Sequence, residues 1–146
     1  MAHRCEEELR GAAYIFNGSD GSLQRTLLPA VRQPFAKFGA SLCLSDDFTG
    51  DRRPDIAVGA PGQNVNGLLQ AGAITIFDGR RGRVAQTVTS AAPQTRALFG
   101  AAVAAADFDG DRVATAVAGT PNQDASIDSG TGLVPHLEIG QIEIQP

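Results

Sequence analysis

An internal repeat is the feature of this sequence that most constrains its fold. Residues 38–61 read FGASLCLSDDFTGDRRPDIAVGAP, and residues 99–121 read FGAAVAAADFDGDRVATAVAGTP. Residues 11–38 also match residues 72–99 without a gap, and the first copy carries one extra residue just before its acidic loop. Six of the seven phenylalanines form equivalent pairs, which are Phe16 with Phe77, Phe38 with Phe99 and Phe48 with Phe108. A period of roughly 60 residues indicates a repeat architecture.

Within one unit the pattern predicts short β-strands joined by tight turns. The runs 41–45, 55–59, 73–77 and 84–88 are in part β-branched and are bounded by Gly, Pro and Asp. Asn17-Gly18 and Asp78-Gly79 lie between such runs, where we predict type I′ hairpin turns. Because no helical period is present, we expect an all-β fold of four-stranded antiparallel β-propeller blades.

The repeat divides the chain into four parts. We expect a polar lead-in at 1–10, a half blade with its third and fourth strands at 11–37, a complete blade at 38–98 and a second, degraded blade at 99–146. The third strand of the last blade has two possible positions. A gap-free alignment places it at 132–137 despite Pro135, which fits poorly in a central strand. A shifted alignment uses 140–144, which alternates better, and both remain open.

Composition excludes some classes of function. The net charge is −4 with a pI near 5.0, and no run of Lys or Arg is longer than two, so we expect no nucleic-acid partner. No apolar run approaches the roughly 18 residues of a membrane span. Cys5 and Cys43 are too few for a disulfide framework. Cys43 lies in an apolar run and is predicted to be a buried free thiol.

The first acidic loop has the residue types of a calcium site. Ca²⁺ takes six to eight oxygen ligands from carboxylates and carbonyls in a flexible cage. No His or Cys accompanies these oxygens, which argues against zinc or copper. Gly at the fourth loop position and Val58 at the twelfth exclude an EF-hand. We predict that the ligands are Asp47, Thr49, Asp51, the carbonyl of Arg53, and Asp55.

The second acidic loop is a weaker copy of the first. Its equivalent residues are Asp107, Asp109, Asp111, Val113 through its carbonyl, and Thr115. Thr115 replaces the closing carboxylate and offers at best one neutral oxygen. We expect the first site to bind calcium at about 10⁻⁴–10⁻³ M and the second more weakly. The alternative is that both loops are ordinary Asp/Gly turns between strands.

These motifs together resemble the FG-GAP repeat of integrin α-subunit propellers and related bacterial proteins. The resemblance rests on FG at 38–39 and 99–100, the two acidic loops, GAP at 59–61 and the altered GTP at 119–121. It implies a seven-bladed propeller with calcium loops on one face and a role in cell adhesion or protein recognition. This chain departs from the family at Thr49, Thr115 and Thr120. The resemblance also implies an extracellular or cell-surface location, whereas residues 1–10 show no signal sequence, which leaves intracellular expression of a fragment open.

We expect a non-catalytic, calcium-binding recognition or adhesion module. Two alternatives remain: an accessory domain of a surface hydrolase of the phospholipase or polysaccharide-degrading type, and a purely structural repeat with vestigial metal loops. The segment IDSGT at 127–131 resembles an aspartic-protease motif, but too little chain follows it for the required sheet. No G-x-S-x-G, H-E-x-x-H or phosphate loop occurs, and His3 and His136 have no evident catalytic partner.

Chain length leads to a prediction about partners. A propeller has about four to eight blades, and the repeat covers roughly two. Repeat units cannot bury their faces alone. We therefore expect a protein partner, which is either the missing blades of a larger propeller or further copies of the chain in a homo-oligomer with strand exchange at the seam.

Overall fold

A computed structural model describes residues 10–45 and 47–124, and the backbone of 140–142. Nine β-strands and no helix occur in these segments. Their bounds are β1 Ala13–Phe16, β2 Leu23–Leu27, β3 Ser41–Ser45, β4 Asp55–Ala60, β5 Ala73–Asp78, β6 Arg83–Val88, β7 Ala102–Ala106, β8 Thr115–Gly119 and β9 Gly140–Ile142.

The strands form three antiparallel sheets in chain order. The orders are β1-β2, then β3-β4-β5-β6, then β7-β8-β9. The middle sheet is the predicted four-stranded blade, and its strands fall within one residue of the predicted runs. The all-β class and the blade architecture are therefore confirmed. Strands that follow one another within a sheet are antiparallel, so the acidic loops and the β1-β2 and β5-β6 hairpins lie at one end of their sheets, and the β4-β5 loop lies at the other end.

The core lies between the sheets. Side chains alternate across a strand, so Ile74 and Ile76 of β5 face the third sheet while Phe77 faces the first. One cluster joins the first and middle sheets and contains Ala13, Leu27, Phe38, Val58, Ala60 and Phe77. The other joins the middle and third sheets and contains Phe48, Ala57, Ile74, Ile76, Phe99, Ala114, Ala116 and Ala118. Consecutive blades therefore stabilise one another through apolar burial.

A glycine just before β1 and another just before β5 contact the chain segments that cross to the next sheet. Gly72 has a φ of +90°, and a Cβ there would lie 2.2 Å from the carbonyl oxygen of Phe99. Gly11 repeats this contact with Phe38 at 2.1 Å. Each pair also forms an isolated parallel bridge. The backbones approach so closely here that a side chain would force them apart.

The predicted type I′ hairpins are wrong. Gly18 and Gly79 do not have positive φ, whereas Gly21 and Gly82 do, at 73° and 65°. In the first hairpin the amide of Asn17 donates to the Ser22 carbonyl and that of Gly21 to the Asn17 carbonyl, both at 2.8 Å. A register irregularity precedes each turn. The longer loop takes its left-handed residue near its end, as three- to five-residue hairpins do.

Cys43 is half-buried rather than buried, which corrects the prediction. It packs against the core between the middle and third sheets, but it lies on β3, which is an edge strand of its sheet. Burial raises the pKa of its thiol, and the Ala105 amide opposes this only in part.

The backbone of β9 supports the shifted alignment of the last blade, because Gly140–Ile142 pairs with β8. The competing segment 132–137 lies outside the described residues. So do residues 1–9, with Cys5 and His3, and the segment 127–131 and His136.

Candidate metal centre

The first acidic loop connects β3 to β4 and brings three carboxylates together. One oxygen from each of Asp47, Asp51 and Asp55 lies within 4.8 Å of the others. Asp47 and Asp55 are buried, and Asp51 is exposed. A buried carboxylate is costly unless it is hydrogen-bonded or paired with a cation. The surroundings of each one therefore decide what the loop can bind.

Asp47 holds the loop around its own carboxylate. Its Oδ1 accepts hydrogen bonds from the amides of Thr49, Gly50 and Asp51 at 3.0, 2.6 and 3.2 Å. Its Oδ2 accepts one from the amide of Arg52 at 2.6 Å. Gly50 and Arg52 both have positive φ, which curls the backbone enough to aim these amides inward.

Asp55 ties the loop to the neighbouring hairpin. Its Oδ2 accepts from the amides of Phe48 and Thr49 at 2.8 and 2.9 Å. Its Oδ1 accepts from the amide of Gly79, beyond β5, at 2.9 Å. The side chain is fully buried. Asp55 therefore has a structural role in addition to any role as a ligand.

Thr49 provides the observation that bears most directly on a metal. Its Oγ1 is buried and has no hydrogen-bond partner. A buried hydroxyl without a partner is uncommon in folded proteins and requires an explanation such as a missing ion or water. The carboxylates beside it carry no ion pair within the part of the chain that the structure describes. These residues therefore fit a hard cation bound by oxygen.

The other predicted member of this site is Arg53. Its amide donates to Oδ1 of Asp51 at 2.9 Å, which places it in the loop. A role for its carbonyl as a ligand stays a prediction.

The second acidic loop connects β7 to β8 and is more open. Asp107, Asp109 and Asp111 bring their oxygens within 4.8 Å, but all three are exposed. Thr115, which replaces the closing carboxylate of the first loop, is buried at the start of β8. The amide of Val113 donates to Asp111 at 2.7 Å. Across the described residues, this loop holds no buried oxygen without a partner.

Backbone hydrogen bonds shape the Asp107 carboxylate. Desolvation raises its pKa, but hydrogen bonds from the amides of Gly110 and Arg112, together with weaker ones within the loop, hold the pKa below its usual range. Those amides lie 2.8 and 3.0 Å from its two oxygens. The second loop thus resembles the first in backbone shape and lacks its buried interior.

The two loops lie next to each other. The amide of Ala114 donates to the carbonyl of Asp47 at 2.5 Å. A cavity of about 620 Å³ separates the loops and is lined by Asp47, Gly50, Arg52, Gly110, Asp111, Arg112 and Val113. Arg52 and Arg112 occupy equivalent left-handed positions, with φ of 63° and 73°. The sequence analysis did not predict that these arginines have a positive φ, although the Asp-Arg dipeptide recurs at the same position in both loops.

A repeated clamp lies at the opposite end of the sheets. Gln33 donates from Nε2 to the carbonyl of Asn64 at 3.0 Å and accepts from its amide at 2.7 Å. Gln94 makes the same two bonds to the backbone of Asp124, at 3.0 and 2.9 Å. Each clamp joins a loop between blades to a loop within the next blade. The gap-free match of residues 11–38 with 72–99 aligns the two glutamines and could have revealed it.

The described segments contain no helix that is long and apolar enough to cross a membrane.

Comparisons with known proteins agree with this architecture. Residues 38–77 match the FG-GAP repeat family, and that segment includes β3 to β5 and the first acidic loop. Phosphatidylinositol-glycan-specific phospholipase D from Bos taurus is 31% identical over 123 residues, covering 76% of this chain and 14% of that protein. The Rattus norvegicus protein of the same name is 35% identical over 113 residues, covering 69% of the chain and 13% of that protein. The chain thus spans about one seventh of the length of these curated relatives. With its matched repeat, its four-stranded blade and these relatives, the chain is an FG-GAP repeat protein.

Proposed function

We propose that this chain is a calcium-binding, non-catalytic propeller module that serves protein recognition. The observation that carries the metal proposal is the buried, unpartnered Thr49 hydroxyl beside three clustered carboxylates. When bound, calcium would neutralise the carboxylates and draw the loop together. Asp47, Thr49, Asp51 and Asp55 would hold it, with the Arg53 carbonyl as a further ligand.

The second loop would bind calcium more weakly, through Asp107, Asp109 and Asp111 with Val113 and Thr115. Its carboxylates are exposed, so they are hydrated in the free protein and must give up more of that hydration when an ion binds. We expect its occupancy to require a higher calcium concentration than that of the first loop.

The relatives favour an accessory domain of a surface hydrolase over a cell-adhesion module. Both are named as phospholipases, which supports an accessory, non-catalytic domain of a surface hydrolase. Cell adhesion remains the broader proposal that the repeat family suggests. An extracellular or cell-surface location follows from either form. The enzymatic activity itself would belong to parts of a larger protein that this chain does not match.

Thermal melting with and without calcium tests the metal proposal. At ten times the dissociation constant, a ligand stabilises the folded state by about 1.4 kcal/mol. For a domain of this size that raises Tm by roughly 3–6 °C. The rise should disappear in Asp51→Ala, because this change removes one of the proposed ligands. The variant should still fold, because Asp51 is exposed and its side chain accepts one local hydrogen bond. Absence of a rise in the wild type would contradict the proposal.

Asp20→Ala provides a matched control. Asp20 also lies in an exposed turn and accepts local hydrogen bonds from Ser22, but it is remote from both acidic clusters. This variant should keep the full calcium-dependent rise. Asp109→Ala should keep most of it, since the first loop would supply the tighter site. Equal losses in Asp20→Ala and Asp51→Ala would mean that calcium acts through general screening.

A further inference from the structure

Two arginines line the cavity between the acidic loops. Arg52 and Arg112 hold the same position in their loops, and both have a positive φ, which residues other than Gly, Asn and Asp rarely adopt. The amide of Arg52 donates to Asp47, and the amide of Arg112 donates to Asp107. The same backbone conformation therefore presents both arginines at one cavity.

The guanidinium groups of these arginines have no partner in the part of the chain that the structure describes. Neither makes a hydrogen bond or an ion pair with a described residue, and both arginines are exposed. The loops differ elsewhere, because Thr49 corresponds to Asp109 and Asp55 to Thr115, yet both loops keep the arginine. A side chain at a strained backbone position with no internal contact points to a function outside the fold.

The cavity has room for a small ligand. Its walls come entirely from the two loops, at 47–52 and 110–113, and the hydrogen bond from the Ala114 amide to the Asp47 carbonyl holds these loops side by side. A Cβ on Gly50 or Gly110 would meet no atom within 4 Å, so the walls leave space there. The volume of about 620 Å³ lies within the range of about 300–1,000 Å³ that is typical of small-molecule sites.

Calcium would reverse the sign of the charge around this cavity. The segments 47–55 and 107–115 contain six aspartates and three arginines, which gives a net charge of −3. One calcium ion in each loop would change this charge to +1. An anion that the calcium-free loops repel would therefore be attracted once both loops are filled. The carboxylates would be engaged by calcium, which leaves the guanidinium groups free to bind the anion.

We propose that, when both loops hold calcium, this cavity binds a phosphate monoester between Arg52 and Arg112. A phosphate monoester carries a charge of about −1.5 to −2 and three acceptor oxygens, so two guanidinium forks can bind it together. A carboxylate carries one charge, and a single bidentate guanidinium occupies both of its oxygens. Two arginines at one cavity thus match a phosphate better than a carboxylate. The inference rests on the proposed calcium binding, and its test separates the two.

Isothermal titration calorimetry in a phosphate-free buffer tests both proposals in turn. Calcium is titrated into the chain first, and glycerol 3-phosphate is then titrated with calcium saturating or with EDTA, after subtraction of its heat in protein-free buffer. We expect glycerol 3-phosphate to bind in calcium and at least about tenfold more weakly in EDTA, because the loops then carry a net negative charge.

The outcomes of this titration distinguish the two proposals. Absence of calcium binding would contradict the proposed function and this inference with it. Calcium binding without binding of glycerol 3-phosphate would overturn this inference alone. So would an affinity for glycerol 3-phosphate that is equal in calcium and in EDTA.

Paired substitutions locate the site. The double variant Arg52→Gln, Arg112→Gln should lose the binding of glycerol 3-phosphate and retain that of calcium. The double variant Arg80→Gln, Arg81→Gln is the matched control, because these arginines are also exposed, lie in the β5-β6 hairpin at the same end of the sheets and do not line the cavity. It removes the same charge and should keep the affinity within about twofold. Equal losses in the two double variants would mean that the phosphate responds to net charge alone and would overturn the site.

Acetate in the same titration tests the class of ligand. It should bind at least about tenfold more weakly than glycerol 3-phosphate, because it has one charge and two oxygens. Equal affinities would contradict the phosphate assignment.

A phosphate monoester occurs both in soluble esters and in the headgroup of phosphatidic acid, and cosedimentation with vesicles distinguishes these sources. For a lipid source, vesicles of phosphatidylcholine with phosphatidic acid should sediment the chain in calcium, vesicles of phosphatidylcholine alone should not, and Arg52→Gln, Arg112→Gln should stay in solution. Binding of glycerol 3-phosphate without cosedimentation would assign the site to a soluble ester. Equal sedimentation of the wild type and the double variant would exclude the lipid source.

Discussion

The replacement Asp55→Ala separates the structural role of the first acidic loop from its role as a ligand. Asp55 is fully buried and accepts hydrogen bonds from three amides, those of Phe48, Thr49 and Gly79. Alanine would leave all three donors without their partner. Hydrogen bonds to charged groups contribute about 1.5–3 kcal/mol each, and neighbouring bonds are not additive. We expect the free energy of unfolding to fall by about 3–5 kcal/mol.

The measurement is urea denaturation followed by far-ultraviolet circular dichroism, with EDTA present to remove calcium. A loss of this size is a large part of the 5–15 kcal/mol that stabilises a typical domain. Asp55→Asn provides an intermediate, because its amide keeps only one oxygen that can accept. The asparagine oxygen should accept either from the amide of Gly79 or from the amides of Phe48 and Thr49, and the hydrogen bonds to the other oxygen position should be lost.

Asp51→Ala is the matched control under the same conditions. Asp51 is exposed and accepts one hydrogen bond, so its loss should cost less than about 1 kcal/mol in EDTA. Both variants should lose the stabilisation by calcium. If Asp55→Ala were as stable as Asp51→Ala in EDTA, the three amide bonds would contribute little and the reasoning would be wrong.

Two further predictions concern the contacts between blades. Gly72→Ala should destabilise the fold by several kcal/mol, about the cost of a severe backbone clash, because its Cβ would lie 2.2 Å from the Phe99 carbonyl oxygen at a φ of +90°; Gly18→Ala, which meets no atom within 4 Å, should be neutral in the same thermal melts. In a Cys5→Ser background, Cys43 should react with iodoacetamide more slowly than the same thiol in urea between about pH 7 and 9, since burial raises its pKa and keeps it protonated. Because the pKa of Cys43 is higher in the folded than in the unfolded chain, the contribution of this thiol to the free energy of unfolding is fully present below the unfolded-state pKa. It is lost as the pH rises through the folded-state pKa. Equal alkylation rates in the folded and unfolded chains would contradict the second prediction.

The strands could be predicted from the sequence because the repeat shows each of them twice. The runs 55–59 and 73–77 locate β4 and β5, but both faces of these strands are buried between neighbouring sheets, so alternation does not divide them into an inward and an outward face. The acidic loop residues were also identifiable, because alternate positions in a curled loop point to one centre. The structure brings Asp47, Asp51 and Asp55 together accordingly.

Other features depend on partners that a local pattern does not contain. The burial of Phe48 and the exposure of Phe108 differ although their local sequences agree, because Phe48 packs in the core between the middle and third sheets and, among the described residues, Phe108 belongs to no core cluster. Cys43 is half-buried for a related reason, since β3 is an edge strand of its sheet. The hairpin type was missed because the bulge before Phe16 and Phe77 lengthens the loop, and a bulge leaves no mark on composition.

The glutamine clamps have a consequence for how the loops at that end can diversify. Gln33 and Gln94 hold only the backbone amide and carbonyl of the residue they contact, which is Asn64 in one blade and Asp124 in the next. The side chain at the clamped position takes no part in those two bonds. Loop composition can therefore change, from an amide to an acid or beyond, while the loop stays anchored at the same distance from its sheet. This end of the module can acquire new binding surfaces by substitution without loss of the framework that presents them.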